Sequence, residues 1–186
     1  MPSRLRTALA AAAAVVALGI ASAPASAIST SSTTALSARL VVARINALRH
    51  KFGLPLGQLT KSYSAEVLQG VRDNNDPPFA PVAAGVVGEE SVWGLLPTSA
   101  TGPTASLPIV SAWVFHDGWQ GSAAATWNLD CTSPSAPGCN GHRRAVLSTP
   151  PVPGAKLFID ATTLGSSTSG GPGVALAALL VWKLPA

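Results

Sequence analysis

The two cysteines of this chain, Cys131 and Cys139, constrain its fold more than any other feature of the sequence. They enclose the segment TSPSAPG, whose proline, serine and glycine content favours a turn that brings the two ends together. Their spacing does not match the C-x-x-C pattern of structural zinc sites. We therefore predict a disulfide between them; because His142 follows shortly after Cys139, a metal site is the alternative.

The N-terminal segment predicts export, which is the condition under which such a disulfide forms. Two arginines precede an apolar run from about Ala8 to Ala21, and Ala25-Ser26-Ala27 offers the small residues of a cleavage site. We predict a signal peptide over residues 1–27, a flexible leader over 28–34 and one domain over 35–186. A retained membrane anchor is the less favoured alternative, because the apolar run is shorter than the roughly 20 residues that a spanning helix needs.

The charge pattern argues against a nucleic-acid partner. The chain has 12 basic and 8 acidic residues, and the basic Arg4 and Arg6 lie in the predicted signal peptide. The remaining basic residues are scattered, whereas nucleic-acid binding requires a basic stripe or patch. We therefore expect no nucleic-acid binding and, after signal removal, no membrane span.

Helices are predicted where apolar residues recur at helical spacing. The first helix carries such a stripe, formed by Val41, Ile45, Leu48 and Phe52, and Gly53 is suited to cap its end before Pro55. A second helix is predicted over Tyr63–Val71, with Ser62 or Ser64 as its N-cap. A third, short helix is predicted over Ile109–Phe115.

The strand predictions fall near the C-terminus. Lys156–Thr163 and the apolar run Val174–Trp182 are typical of strands, and Ser166–Gly173 between them is typical of a flexible turn. Residues 119–141 are expected to be mostly irregular. This order of elements predicts an α+β fold, with helices packed on a small antiparallel sheet.

Four short motifs occur between about Leu36 and the C-terminus. In chain order they are Asn46-x-x-Arg49-x-x-x-Gly53-x-Pro55-Leu56, Gly88-Glu89 followed by Trp93-Gly94, Ala112-Trp113, and Gly141-His142-Arg143. The motifs and their order resemble those of the CAP superfamily of cysteine-rich secretory, antigen 5 and pathogenesis-related 1 proteins, also called SCP domains, in which Gly-His-Arg is the bacterial form. The resemblance implies secretion and an α-β-α sandwich of CAP type.

The resemblance also implies a cleft lined by two histidines and two glutamates. His142 matches one family histidine and Glu89 matches one family glutamate, whereas His116 occupies the position of the second glutamate. The chain has no histidine at the position of the family's other one, and Glu90 replaces the usual asparagine. Glu89, His116 and His142 are therefore the candidate cleft residues.

These three residues allow several roles. The histidines titrate near neutral pH and can act as general bases or as zinc ligands. Glu89 lies in an apolar segment, where burial would raise its pKa. Alternatively, the three side chains only hold the loops onto the sheet.

Three functions follow as hypotheses. The first is a secreted, non-enzymatic binding module for an apolar ligand, such as a lipid or sterol, or for an extracellular partner protein. The second is a metal-assisted hydrolase in which His116, His142 and Glu89 hold zinc or another divalent cation. The third is a structural extracellular protein with a degenerate cleft.

Other polar and aromatic residues are weaker candidates. The tryptophans Trp113, Trp119 and Trp127 would suit a platform for sugar or lipid, but such residues more often anchor the core and its loops. Glu90 is expected to face solvent or to pair with Arg143 or Arg144.

Overall fold

The structure, a computed structural model, describes residues 27–81, 83–122, 128, 130–168 and 171–185. The predicted signal peptide lies outside these residues, apart from Ala27. The described elements are α1 (Ala27–Lys51), β1 (Gln58–Leu59), α2 (Ser64–Asp73), β2 (Val86–Pro97), α3 (Leu107–Phe115), α4 (Gly141–Val146), β3 (Lys156–Thr168) and β4 (Gly171–Lys183). The chain is thus a mixed α/β protein.

The strands form one small open sheet in the order β1-β3-β4-β2. β4 is antiparallel to both β2 and β3, but β1 runs parallel to β3, so the sheet is mixed and the prediction of a wholly antiparallel sheet is wrong. The side chain of Asn46 on α1 fixes the chain at the edge of the sheet that β1 forms. Its amide donates to the Gly57 carbonyl and accepts from the Gly57 N–H, both at 2.8 Å, directly before β1 begins.

Helices cover both faces of the sheet, and β4 shows this most clearly. Its residues on one face pack into the larger core with α1, α3 and α4; these are Leu176, Ala178, Leu180 and Trp182. The alternate residues Ala175, Ala177, Leu179 and Val181 pack with side chains of α2 or the segment after it. A strand buried on both faces is apolar throughout, which explains why the run Val174–Trp182 was recognisable in the sequence.

Helix α1 follows the predicted stripe but is longer. Val41, Ile45 and Leu48 are buried, while Phe52 lies past the helix end with 39% of its surface exposed. Gly53 has a φ of +68°, the left-handed conformation expected of a terminating glycine. Helix α1 begins at Ala27 and therefore includes residues 28–34, the segment predicted as a flexible leader.

Arg49 is the most unusual residue of the core, because its side chain is completely buried. Its guanidinium donates to three main-chain carbonyls, those of Pro55 at 2.8 Å, Val146 at 2.7 Å and Ser148 at 2.9 Å. It also lies over the Trp182 ring, 5.4 Å from the centroid. The arginine of the N-x-x-R motif therefore joins the end of α1 to the end of α4.

The second helix is capped differently from the prediction. The N-cap position of α2 is Tyr63, and no cap hydrogen bond comes from its own side chain or from Ser62. Instead, the buried carboxylate of Asp160 on β3 accepts from the Tyr63 N–H and from the Ser64 hydroxyl, both at 3.1 Å. The cap is thus a tertiary contact that local sequence does not reveal.

Strand β2 and helix α4 were not predicted, and two further boundaries differ. The turn predicted at Ser166–Gly173 is mostly strand, because β3 continues to Thr168 and β4 starts at Gly171.

Close packing of α3 on β2 depends on Gly94, where an added Cβ would collide with Ile109 and approach Trp113 Nε1 to 3.1 Å. The glycine of the W-G pair is therefore a packing requirement.

Candidate functional site

His142 is positioned by the loop that precedes α4. The predicted disulfide between Cys131 and Cys139 is present, with 4.3 Å between the Cα atoms, and it excludes the alternative of a cysteine metal site. Arg144 folds the same loop onto the helix, donating to the carbonyls of Cys139 at 2.8 Å and Pro137 at 3.1 Å. The disulfide loop thus sets where α4 begins and where His142 points.

The closest partner of His142 is Asp117, a buried carboxylate at the end of α3 with only 3% of its surface exposed. The Nδ1–H of His142 donates to Asp117 Oδ1 across 2.7 Å. The same oxygen accepts from Asn128 Nδ2 at 2.8 Å, and Oδ2 accepts from the Arg143 N–H at 2.8 Å. Three donors therefore hold the carboxylate, so the buried charge is compensated.

The other ring nitrogen of His142 faces a second carboxylate. Its Nε2 lies 3.7 Å from Oδ1 of Asp76, a half-exposed residue in the segment after α2. The ring also stacks on Trp113, with 6.3 Å between centroids and 20° between planes. The Trp113 indole is itself fixed, since its Nε1–H donates to the Trp93 carbonyl at 2.9 Å. The imidazole thus lies between two carboxylates and against a fixed indole.

This setting keeps His142 charged at neutral pH. Burial alone would lower its pKa, but the hydrogen bonds and negative charges of Asp117 and Asp76 outweigh that effect and raise the pKa to about 9. A histidine with this pKa carries both ring protons at pH 7. It is therefore a cation and a double donor there, and not a general base.

His142 borders an open cleft of about 370 Å³. The wall is rich in charged and polar groups, and the exposed ring of Phe79 stands at its edge. The charged lining residues are Asp76, Glu90, Asp130, His142 and Arg144. Since Arg144 and His142 are both engaged by other groups of the protein, the carboxylates of Glu90 and Asp130 are the charges most available to a ligand.

Glu90, and not Glu89, belongs to this cleft. In the β2–β4 register, Glu90 lies opposite Leu180 of the larger core, whereas Glu89 lies opposite Val181 on the α2 face. Burial raises the pKa of Glu90, and the nearby charge of Arg144 counters part of that rise. Of the surroundings expected for Glu90 (solvent, Arg143 or Arg144), the structure therefore favours Arg144 as its charged neighbour.

On the opposite face of the sheet, burial raises the pKa of Glu89, as the sequence suggested. A hydrogen bond from the Ala80 main chain partly counters the rise, and Glu66 and Lys183 are the charged neighbours. All of these groups belong to the α2 side of the molecule or its edge. The sheet therefore separates Glu89 from His142.

His116 lies in a different place again. It follows α3 directly and lines an open, mainly apolar groove of about 610 Å³, together with Arg44, Leu107, Pro108 and Ser111. Its neighbour in sequence, Asp117, turns inward to His142, while His116 itself is exposed. The three predicted cleft residues Glu89, His116 and His142 are thus distributed over three sites.

This arrangement does not fit the zinc or other divalent cation that the hydrolase hypothesis places on His116, His142 and Glu89. No group of three or more histidine, cysteine, aspartate or glutamate side chains in the described ranges could hold an ion. A metal on His142 would also have to displace a proton bound with a pKa of about 9. We therefore derive no chemistry through a metal at this site.

Sequence reasoning missed Asp117, Asp76 and Asn128. Asp117 looked like the polar end of a helix, and its partners lie 11 to 26 residues further along the chain. Asp76 lies in a segment that the sequence marked only as a break between elements. The one available signal was the pair Asp117-Gly118, which follows the predicted third helix near the cysteine loop.

The candidate tryptophans differ in their surroundings. Trp113 is 3% exposed and is a core residue, in agreement with the anchoring interpretation. Trp119 is half-buried, and Trp127 lies outside the described residues.

Comparison of the chain with protein-family models, curated proteins and solved structures gave no match. Among the described residues, no helix combines the length and the apolar character needed to cross a membrane.

Proposed function

We propose that this chain is a secreted CAP-type binding module that uses the cleft around His142, without catalysis, to dock a basic segment of an extracellular partner protein. The observation that carries the proposal is the pair of carboxylates Glu90 and Asp130 in the cleft lining, where the cations of His142 and Arg144 are held by other groups of the protein. This site is well organised and exposed to solvent on one side. Its chemistry is that of recognition by charge and hydrogen bonding.

The composition of the cleft supports a polar, cationic ligand over an apolar one. Glu90 and Asp130 offer carboxylates, while the two cations of the lining are engaged by Asp117, Asp76 and main-chain carbonyls. A lysine or arginine side chain of a partner would pair with these carboxylates and could lay its stem along the ring of Phe79. A lipid or sterol would remove water from the same carboxylates without offering them a cation, which is costly.

The protonation of His142 supports a role without catalysis. A general base at neutral pH needs a pKa near 7, and the pKa of about 9 keeps His142 protonated. The hydrolase alternative also needs Glu89 and His116 beside His142, and these residues belong to other parts of the fold.

Three features support the CAP-type assignment. Helices lie on both faces of the sheet, and the disulfide is typical of proteins folded in an oxidising compartment. The four sequence motifs also have clear structural roles here: Arg49, Asn46 and Gly94 hold elements of the fold together, Trp113 is a buried ring stacked on His142, and His142 borders the cleft.

The proposal can be tested with an arginine-rich peptide as the probe, titrated into the isotopically labelled chain and followed by NMR. We expect saturable shifts of the Glu90, Asp130 and His142 resonances. Glu90→Gln and Asp130→Asn should each weaken binding roughly threefold, as expected when an ion pair of under about 1 kcal/mol is lost.

Asp73→Asn is the matched control, because Asp73 is an exposed carboxylate at the end of α2 and does not line the cleft. The proposal is wrong if this control weakens binding as much as Glu90→Gln does. It is equally wrong if a neutral peptide of the same length binds with the same affinity.

A further inference from the structure

The charges of the molecule are unevenly distributed. Helices α1 and α3, and residues 98–106 before α3, contain no aspartate or glutamate. Three residues of α1, in contrast, present exposed basic side chains: Arg39, Arg44 and Lys51. The side formed by α1 and α3 therefore has a positive potential at neutral pH.

Two phenylalanines are exposed on this same side. Phe52 follows α1 and is 39% exposed, and Phe115 ends α3 and is 43% exposed. Each ring has a cation beside it. Lys51 Nζ lies 5.3 Å from the Phe115 centroid, and Arg143 Cζ lies 5.5 Å from the Phe52 centroid.

These groups form one continuous surface. Lys51 at the end of α1 contacts the ring of Phe115 at the end of α3. Arg143 of α4 contacts the ring of Phe52 and also donates to the Val114 carbonyl. About two turns before Lys51 on α1, Arg44 Nη2 donates to the Oγ of Ser111 on α3 at 2.8 Å. We name the surface of Arg44, Lys51, Phe52, Phe115 and Arg143 the basic face.

We infer that the basic face docks the protein on an anionic lipid bilayer. Charge complementarity calls for a negatively charged partner, since the face has cations and the helices that form it have no acidic residue. The exposed phenyl rings then favour a bilayer over a soluble polyanion. A ring entering the boundary between headgroups and acyl chains removes apolar surface from water, and the cation beside it lies at the level of the lipid phosphates.

This inference does not depend on the proposed role of the cleft. The cleft is lined by Asp76, Glu90 and Asp130, whereas the basic face has no carboxylate, so the two surfaces select partners of opposite charge. A protein held on a bilayer through its basic face would keep its acidic cleft for a different partner.

The test is co-sedimentation of the chain with vesicles of phosphatidylcholine, either alone or mixed with phosphatidylglycerol. We expect sedimentation only with the mixed vesicles, and its loss as the salt concentration rises. Lys51→Glu should lower the partition coefficient by about tenfold or more, because it reverses a charge at the surface. Phe115→Ser should lower the partition coefficient by about fivefold, because this variant lacks the ring that enters the bilayer.

Two matched variants serve as controls, each checked for folding by circular dichroism together with the test variants. Lys61→Glu reverses an exposed charge before α2, and Phe79→Ser removes an exposed ring at the cleft. Both should change partitioning by less than about twofold.

Three results would overturn the inference. They are equal sedimentation with neutral vesicles, an equal loss in Lys61→Glu, and unchanged partitioning of Phe115→Ser together with tight binding of soluble heparin. The last result would mean that the surface recognises a soluble polyanion instead of a bilayer.

Discussion

The imidazole of His142 and the buried carboxylate of Asp117 form one charged pair, with 2.7 Å between Nδ1 and Oδ1. The pair joins α4 to the end of α3 across 25 positions of the chain. Because Asp117 also accepts from the Arg143 N–H, it holds both the side chain of His142 and the main chain that carries it. The stability of this corner therefore depends on protonation.

The folded protein should become less stable as the pH rises. The pKa of His142 is raised from 6.5 to about 9 on folding, so its contribution is fully present below pH 6.5 and is lost as the pH rises through about 9. A shift of this size corresponds to about 3 kcal/mol of unfolding free energy. Urea unfolding at a series of pH values from neutral into the alkaline range measures it.

His142→Gln should remove most of this pH dependence, whereas His50→Gln should retain it, because His50 is exposed at the end of α1. An identical slope in the wild type and in His142→Gln would contradict the assignment.

Asp117→Asn tests the pair from the other side. It leaves the His142 cation without its buried partner, and we expect about 3 kcal/mol of destabilisation at neutral pH together with a fall in the His142 pKa. NMR titration of the histidine and urea unfolding measure the two effects. Asp76→Asn is the comparison, since Asp76 is 44% exposed and 3.7 Å away, and it should cost less than about 1 kcal/mol. Equal effects of the two variants would exclude Asp117 as the main partner.

Arg49→Met should destabilise the fold by about 3 kcal/mol or more, because it leaves the buried carbonyl of Val146 and the partly buried carbonyls of Pro55 and Ser148 without their donor. Arg49→Lys should also be destabilising, since one ammonium cannot reproduce the fork of a guanidinium. Chemical denaturation measures both. Arg39→Met, an exposed arginine on the same helix, should stay within about 0.5 kcal/mol of the wild type, and an equal loss there would refute the argument.

The disulfide should be fully formed in the native protein and should stabilise it. Alkylation without a reductant should leave the mass unchanged, because the structure places both cysteines in the bridge. Replacing both Cys131 and Cys139 by serine should cost about 2–3 kcal/mol through the entropy of the unfolded loop. Differential scanning calorimetry measures the loss; labelling of both thiols in the native protein would contradict the bridge.

The parts of the fold that could be predicted are those with a local signal. Val41, Ile45 and Leu48 repeat at helical spacing and are buried on α1, and the uninterrupted apolar run of β4 indicated a strand covered on both faces. The cysteine spacing likewise predicted the disulfide. In each case the pattern is contained within one short segment.

The parts that could not be predicted depend on partners that are distant in sequence. β2 carries Gly88, Glu89 and Glu90, which weaken the strand signal. It exists as a strand because it pairs with β4, whose partner residues lie 76 to 97 positions later in the chain. The separation of Glu89 from His142 follows from the same pairing, since adjacent residues of a strand point to opposite faces. Asp117 became the key carboxylate only through tertiary contacts.

The order of strands in the sheet has a consequence for biosynthesis. Both central strands, β3 and β4, follow the two edge strands along the chain, so β1 and β2 stay unpaired in this sheet until β3 and β4 have been synthesised. The edge strands therefore leave the ribosome before the strands that hold them. The sheet should accordingly assemble late, once the β3–β4 pair offers both of its edges.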